Sequence, residues 1–132
     1  MIRAQLAGEA YQVEIMAGAH RLVADEKPEH GGKDAGPTPF DLVAAGLAAC
    51  TLITLRMYAE RKGQGDVRIA ADLFHHVEDG RNLIDRRIRV SGASEEVLER
   101  MRDIVERTPV TLALKNGFAI STSLQEVEAP SP

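Results

Sequence analysis

An α+β domain is the fold class that the sequence predicts, and three observations predict it. The first 25 residues alternate apolar and polar in the period of strands, a single long apolar helix follows, and Asp79-Gly80 joins two further alternating segments. Antiparallel sheets packed on helices accommodate all three, whereas a parallel sheet would need strand–helix–strand repeats that the chain lacks.

The elements follow in order. Ile2, Ala4 and Leu6 share one face, and Tyr11, Val13 and Ile15 resume it after the break at Gly8, which makes a hairpin. A third strand is expected from about His20 to Glu26, and Lys27 to Pro37, rich in Pro, Gly and charge, is a loop. Thr38, Pro39 and Asp41 then form a helix start: a capping hydroxyl, a proline in the first turn and an acid near the exposed amides. The helix extends to about Lys62 and stops at Gly63 and Gly65.

Val67, Ile69, Ala71, Leu73, His75 and Val77 line one face of the next strand. With Asp79-Gly80 as a two-residue turn, Glu78 opposes Arg81 and Asp72 opposes Arg87. The same register puts Arg86 opposite Leu73 on the apolar face, between Ile84 and Ile88. Ser94, Glu95 and Glu96 open an amphipathic helix carrying Val97, Leu98, Met101, Ile104 and Val105, which Pro109 interrupts. A short helix from Pro109 to about Lys115, a turn at Asn116-Gly117 and a last strand from Ala119 to Val127 complete one domain of residues 1–132, its tail from Glu128 to Pro132 frayed.

Composition narrows the function classes. Sixteen Lys and Arg against twenty Asp and Glu give a net charge of -4, and three Phe, two Tyr and no Trp leave little stacking surface, so no nucleic-acid partner is expected. The apolar run Leu42 to Leu55 is shorter than the roughly 20 residues of a membrane span and is broken by Thr51 and Thr54, so no membrane partner is expected either. One cysteine and a start, Met1 to Gly8, without the basic and apolar runs of a signal peptide point to a reducing cytoplasm. His75 and His76 are neighbours on a strand and point to opposite faces, so neither a metal nor another cofactor is expected.

The central helix is apolar nearly all round and must be covered on every side. Gly46 and Cys50 are assigned to one stripe with Val43, Leu47, Ile53 and Met57, where a second copy of the helix could approach, so a homodimer is expected. Cys50 has two readings: an inert, buried core thiol, or a nucleophile that needs a cationic neighbour to become a thiolate. Arg86 has two as well. Its stem snorkels to an edge or its head pairs with a carboxylate, or it serves the thiol.

The string Gly36-Pro37-Thr38-Pro39-Phe40-Asp41-Leu42-Val43-Ala44-Ala45-Gly46-Leu47-Ala48-Ala49-Cys50-Thr51 resembles the cysteine-helix motif of the OsmC/Ohr family. The resemblance continues through Leu55 to Gly63, Ile84 to Ile88 and Thr108 to Leu114. It implies an intertwined homodimer with two antiparallel sheets wrapped round paired central helices. It also implies reduction of organic hydroperoxides, in which a first cysteine becomes a sulfenic acid and a second traps it as a disulfide. Cys50 matches the first cysteine, whereas Thr108 stands at the second, so the reductant would be an external thiol. The family's glutamate ten residues before the first cysteine falls on Phe40, with Asp41 beside it. For its activating arginine, Arg21 is nearest in character, with Arg3 also in reach, and Arg86 is the candidate from register. Phe40, Leu47 and Thr108 are expected to line the pocket for a small apolar hydroperoxide. The alternative is a non-catalytic protein whose pocket holds a small hydrophobic ligand, with Cys50 as lining.

Overall fold

The computed structural model describes residues 1–128. Its chain forms two compact units, Met1–Leu42 with the C-terminal segment from Ile120, and Val43–Ala119.

The first unit holds a three-stranded antiparallel meander of β1 (Ile2–Leu6), β2 (Val13–Ala17) and β3 (His20–Ala24), in the order β1-β2-β3. Ala4 pairs with Ile15 and Ile15 with Leu22, so the expected apolar alternation does set one face. β3 ends two residues earlier than expected, because Asp25 leaves the ladder to organise the loop that follows. Pro28–His30 forms one 3-10 turn in that loop.

Helix α1 (Pro39–Arg61) starts in the first unit and continues into the second. In the second unit β4 (Arg68–Glu78) and β5 (Arg81–Ser91) form a two-stranded hairpin whose register is the expected one: Glu78 faces Arg81, Asp72 faces Arg87 and Leu73 faces Arg86. Asp79 and Gly80 both have positive φ, 50° and 75°, as a type I′ turn requires. Helix α2 (Glu95–Ile104) is capped by Ser94, whose hydroxyl accepts from the Val97 amide. A 3-10 turn, Val105–Arg107, leads to α3 (Pro109–Asn116), capped by Thr108.

The core of the second unit is Leu55 and Ala59 of α1 packed with Val67, Val97 and Met101. By length and composition α1 is also long and apolar enough to cross a membrane, and its Leu55 and Ala59 form part of the core of the second unit. Leu55→Ala is expected to cost about 2–5 kcal/mol, since its side chain is fully buried and neighbours relax only partly into such a void. Urea unfolding checks this, as a lower midpoint at unchanged slope.

Two expectations need correction. Leu47 does not share a stripe with Gly46: Leu47, Thr51, Leu55 and Ala59 are the buried line of α1, while Val43, Gly46, Ile53 and Met57 are exposed on another. A helix apolar on every face carries no periodic signal that tells one line from the next. The segment Ala119–Val127 is irregular rather than a strand. Alternation makes a strand only where backbone amides find an edge to pair with, and neither sheet of the chain takes this segment. Ile120 and Leu124 stand 85% and 94% exposed. The tail expected to fray lies, beyond Glu128, outside the described residues.

Candidate functional site

The entry to α1 is built by Asp25, only 2% exposed. Its carboxylate accepts from the amides of Glu26 at 2.7 Å, Lys33 at 3.1 Å and Ala35 at 3.1 Å, and its own amide donates to the Pro37 carbonyl at 3.1 Å. The loop closes so tightly that a Cβ on Gly32 would sit 1.9 Å from the Glu26 carbonyl oxygen, and one on Gly36 would sit 2.2 Å from that of Val23. Thr38 and Asp41 then cap the helix reciprocally, Thr38 N–H donating to Asp41 Oδ2 at 3.1 Å and Asp41 N–H to Thr38 Oγ1 at 3.2 Å.

The amide bonds, that from Ala35 foremost, hold the Asp25 carboxyl below its ordinary value, against the opposing cost of desolvation. A carboxyl whose folded pKa is depressed stabilises the fold at higher pH and loses that contribution as pH falls from its ordinary 3.8 through the lower folded value. Asp25→Asn is therefore expected to be less stable than wild type at neutral pH, with the two converging in acid; thermal unfolding from pH 7 to 2 checks the convergence.

Cys50 sits in α1 one residue before Thr51, half-buried and free. Thr51 is fully buried, and its hydroxyl donates to the Leu47 carbonyl at 2.7 Å, which leaves its lone pairs for an outside donor. That donor is Arg86, whose Nη1 reaches Thr51 Oγ1 at 2.8 Å and Thr111 Oγ1 at 3.0 Å, while Nη2 reaches the Val105 carbonyl at 2.9 Å. Arg86 thus neither snorkels nor pairs with a carboxylate, as the simpler expectation had it: among the described residues it makes no ion pair. The reason is its place on the inner face of β5, where hydroxyls and a carbonyl lie within reach and acids do not. Glu106 feels the guanidinium, but its carboxyl is held low first by the hydrogen bond from Lys115 at 2.8 Å, with the charges of Lys115 and Arg86 adding to it.

Thr108, 1% exposed, extends the cluster, its hydroxyl 2.6 Å from that of Thr111. The turn of α1 beside Cys50 and the first turn of α3 therefore meet at one arginine nitrogen. Leu47 is buried one turn earlier on the line of Thr51. Phe40, more than half exposed, belongs to the first unit, as does Arg21, which pairs with Glu14. Arg3 and Arg21 flank Met16 on one face of the meander. Of the histidines, His75 bonds Asn82 at 2.9 Å and His76 lies 3.7 Å from Asp85 on the other face of the hairpin.

Three residues of this arrangement escaped the sequence reading. Thr51 and Thr111 are the partners of Arg86, and the hydroxyl interrupting the apolar run at Thr51 was the available sign of a buried donor to come. Asp25 precedes a loop with Gly31, Gly32 and Gly36, the composition of a loop wound on a carboxylate.

Comparison with known proteins bears on the whole assembly. No curated protein matches the chain. Among solved structures it is similar to an OsmC-like protein from Mycoplasma pneumoniae, with TM-score 0.62 and 22% identity over 87% of this chain and 86% of that one. It is also similar to the organic hydroperoxide resistance protein OsmC from Legionella pneumophila, with TM-score 0.64 and 21% identity over 87% and 88%. Those likenesses show the α+β fold with antiparallel sheets. The OsmC-like protein profile matches residues 31–123, from the Asp25 loop through Cys50, Arg86 and Thr108 to the segment after α3, and the chain belongs to the OsmC-like family.

Proposed function

We propose that the protein is a single-cysteine, thiol-dependent organic hydroperoxide reductase that works as a homodimer in a reducing cytoplasm. The observation that carries this reading is the placement of the chain's one thiol: Cys50 is half-buried rather than sealed in the core, on the helix turn that the half-buried Arg86 guanidinium holds. The Legionella relative is an organic hydroperoxide resistance protein, and its chemistry suits a thiol so placed.

In the proposed cycle the Cys50 thiolate attacks the terminal oxygen of the hydroperoxide; the S–O bond forms, the O–O bond breaks, and the alkoxide leaves with a proton as the alcohol. The product is a sulfenic acid. An external thiol then attacks the sulfur and releases water, and a second external thiol resolves the mixed disulfide, returning Cys50 to the thiol and leaving an external disulfide. Thr108 takes no part in electron transfer, since a hydroxyl forms no disulfide.

The dimer is supported by what the single chain leaves uncovered. Val43, Ile53 and Met57 form an exposed apolar line on α1, and the strand-patterned segment after α3 joins neither sheet. A second copy supplies both a helix and an edge.

Stopped-flow oxidation of the reduced protein tests the reading. Cumene hydroperoxide should oxidise Cys50 faster than hydrogen peroxide, because an apolar site binds the organic tail. Equal inertness to both would end the peroxidase reading and favour the pocket for a hydrophobic ligand, which the missing second thiol also favours.

A further inference from the structure

Arg86 is an expensive residue in its position. It stands between Ile84 and Ile88, opposite Leu73, where an apolar side chain would satisfy the face, and among the described residues it makes no ion pair, the Glu106 carboxylate acting on it only through charge. What it has instead is a set of acceptors on three elements: Thr51 on α1, Val105 at the start of the 3-10 turn and Thr111 on α3. A planar fork with fixed donor directions spans such a set, whereas an ammonium head would reach one or two of its members.

The hydroxyl protons complete the lock. Thr51 spends its proton on the Leu47 carbonyl, so it can only accept from Arg86. Thr111 accepts from Arg86 and can donate to the Val105 carbonyl at 3.3 Å, which leaves Thr108 to donate to Thr111 across 2.6 Å. Every buried side-chain polar atom among the described residues has a partner, so the cluster is closed and holds the turn Leu47–Thr51 against the first turn of α3.

We propose that Arg86 is a positioning residue for Cys50: its fork fixes the helix turn that carries the thiol, and thereby the place and direction from which the sulfur meets a peroxide. The inference rests on the peroxidase reading above. It assigns to hydrogen bonds, in a chain with one cysteine, the task of keeping α1 and α3 in register. Displacement of a reacting atom by about 1 Å costs on the order of a hundredfold in rate, so the effect on peroxide chemistry should be large.

The test compares the rate of Cys50 oxidation by cumene hydroperoxide with its rate of alkylation by iodoacetamide, a small reagent that asks less of direction. Arg86→Met and Thr51→Val should each lower the hydroperoxide rate by about ten- to a hundredfold while alkylation stays within about twofold. Arg86→Lys, which keeps the charge but not the fork, should remain slow, and Thr51→Ser, which keeps the acceptor, should stay close to wild type. The Arg86→Met, Thr51→Val double variant should be no slower than the slower single one, because both break the same clamp. Should Arg86→Met fail to fold, the Thr51 pair decides alone. Full activity in Arg86→Lys would overturn positioning in favour of charge. Wild-type oxidation with unchanged variants would overturn the inference alone, and an inert wild-type thiol would overturn the inference and the peroxidase reading together.

Discussion

Gly46→Leu is expected to leave the chain folded and to weaken its self-association strongly. Within the chain a Cβ at Gly46 meets nothing within 4 Å, so leucine has room there and improves the helix by up to about 1 kcal/mol. Gly46 lies on the exposed line with Val43, Ile53 and Met57, where the proposed second copy would lay its own helix. Overpacking a close helix contact costs about 1–3 kcal/mol at each position, and two-fold symmetry makes the substitution count twice. The dimer should weaken by roughly thirtyfold to twenty-thousandfold. Ala45→Leu, off that line, should do much less. Sedimentation equilibrium reads both, and equal effects would place the helix contact on another face.

Thr108→Cys should convert a persistent sulfenic acid into an internal disulfide. Thr51, next to Cys50, and Thr111, bonded to Thr108, accept hydrogen bonds from the same Arg86 nitrogen, which brings the two turns into one neighbourhood. The reduced variant should lose about 1 kcal/mol, because Thr108 caps α3. Once oxidised, a loop as long as that between positions 50 and 108 should gain about 4 kcal/mol from the chain-entropy constraint, so the oxidised variant should be the more stable form. Turnover with a dithiol reductant should rise, because the intramolecular trap outruns an external thiol. Non-reducing mass analysis after one equivalent of peroxide would show the loss of two hydrogens. A variant that stays fully reduced or over-oxidises would place the two turns too far apart for the bond.

Local chemistry decided which parts of this protein could be read in advance. The hairpin β4–β5 was legible to the residue because Asp79-Gly80 demands one turn type, and that turn fixes every cross-strand pair, Arg86 against Leu73 included. The caps at Thr38 and Ser94 were legible for the same reason: a hydroxyl before exposed amides has one good use. The facing of α1 was not. Its residues are apolar in every direction, so the assignment of Leu47 to the line of Gly46 had no contrast to correct it. The segment after Gly117 carries true strand alternation, but pairing is a property of two edges and the segment joins neither sheet. Cys50 and Thr108 were located by motif, whereas the hydroxyls that hold Arg86 come from elements distant in sequence, and no spacing rule joins Thr51 to Thr111.

The fate of Cys50 after a single equivalent of cumene hydroperoxide tests the central claim most directly. With dimedone present during the pulse, intact mass spectrometry and peptide mapping should find the adduct on Cys50; without it, one added oxygen should persist until a small thiol is supplied and then disappear with recovery of the free thiol. A Cys50 that keeps its mass and its full thiol titre in excess hydroperoxide would contradict the claim.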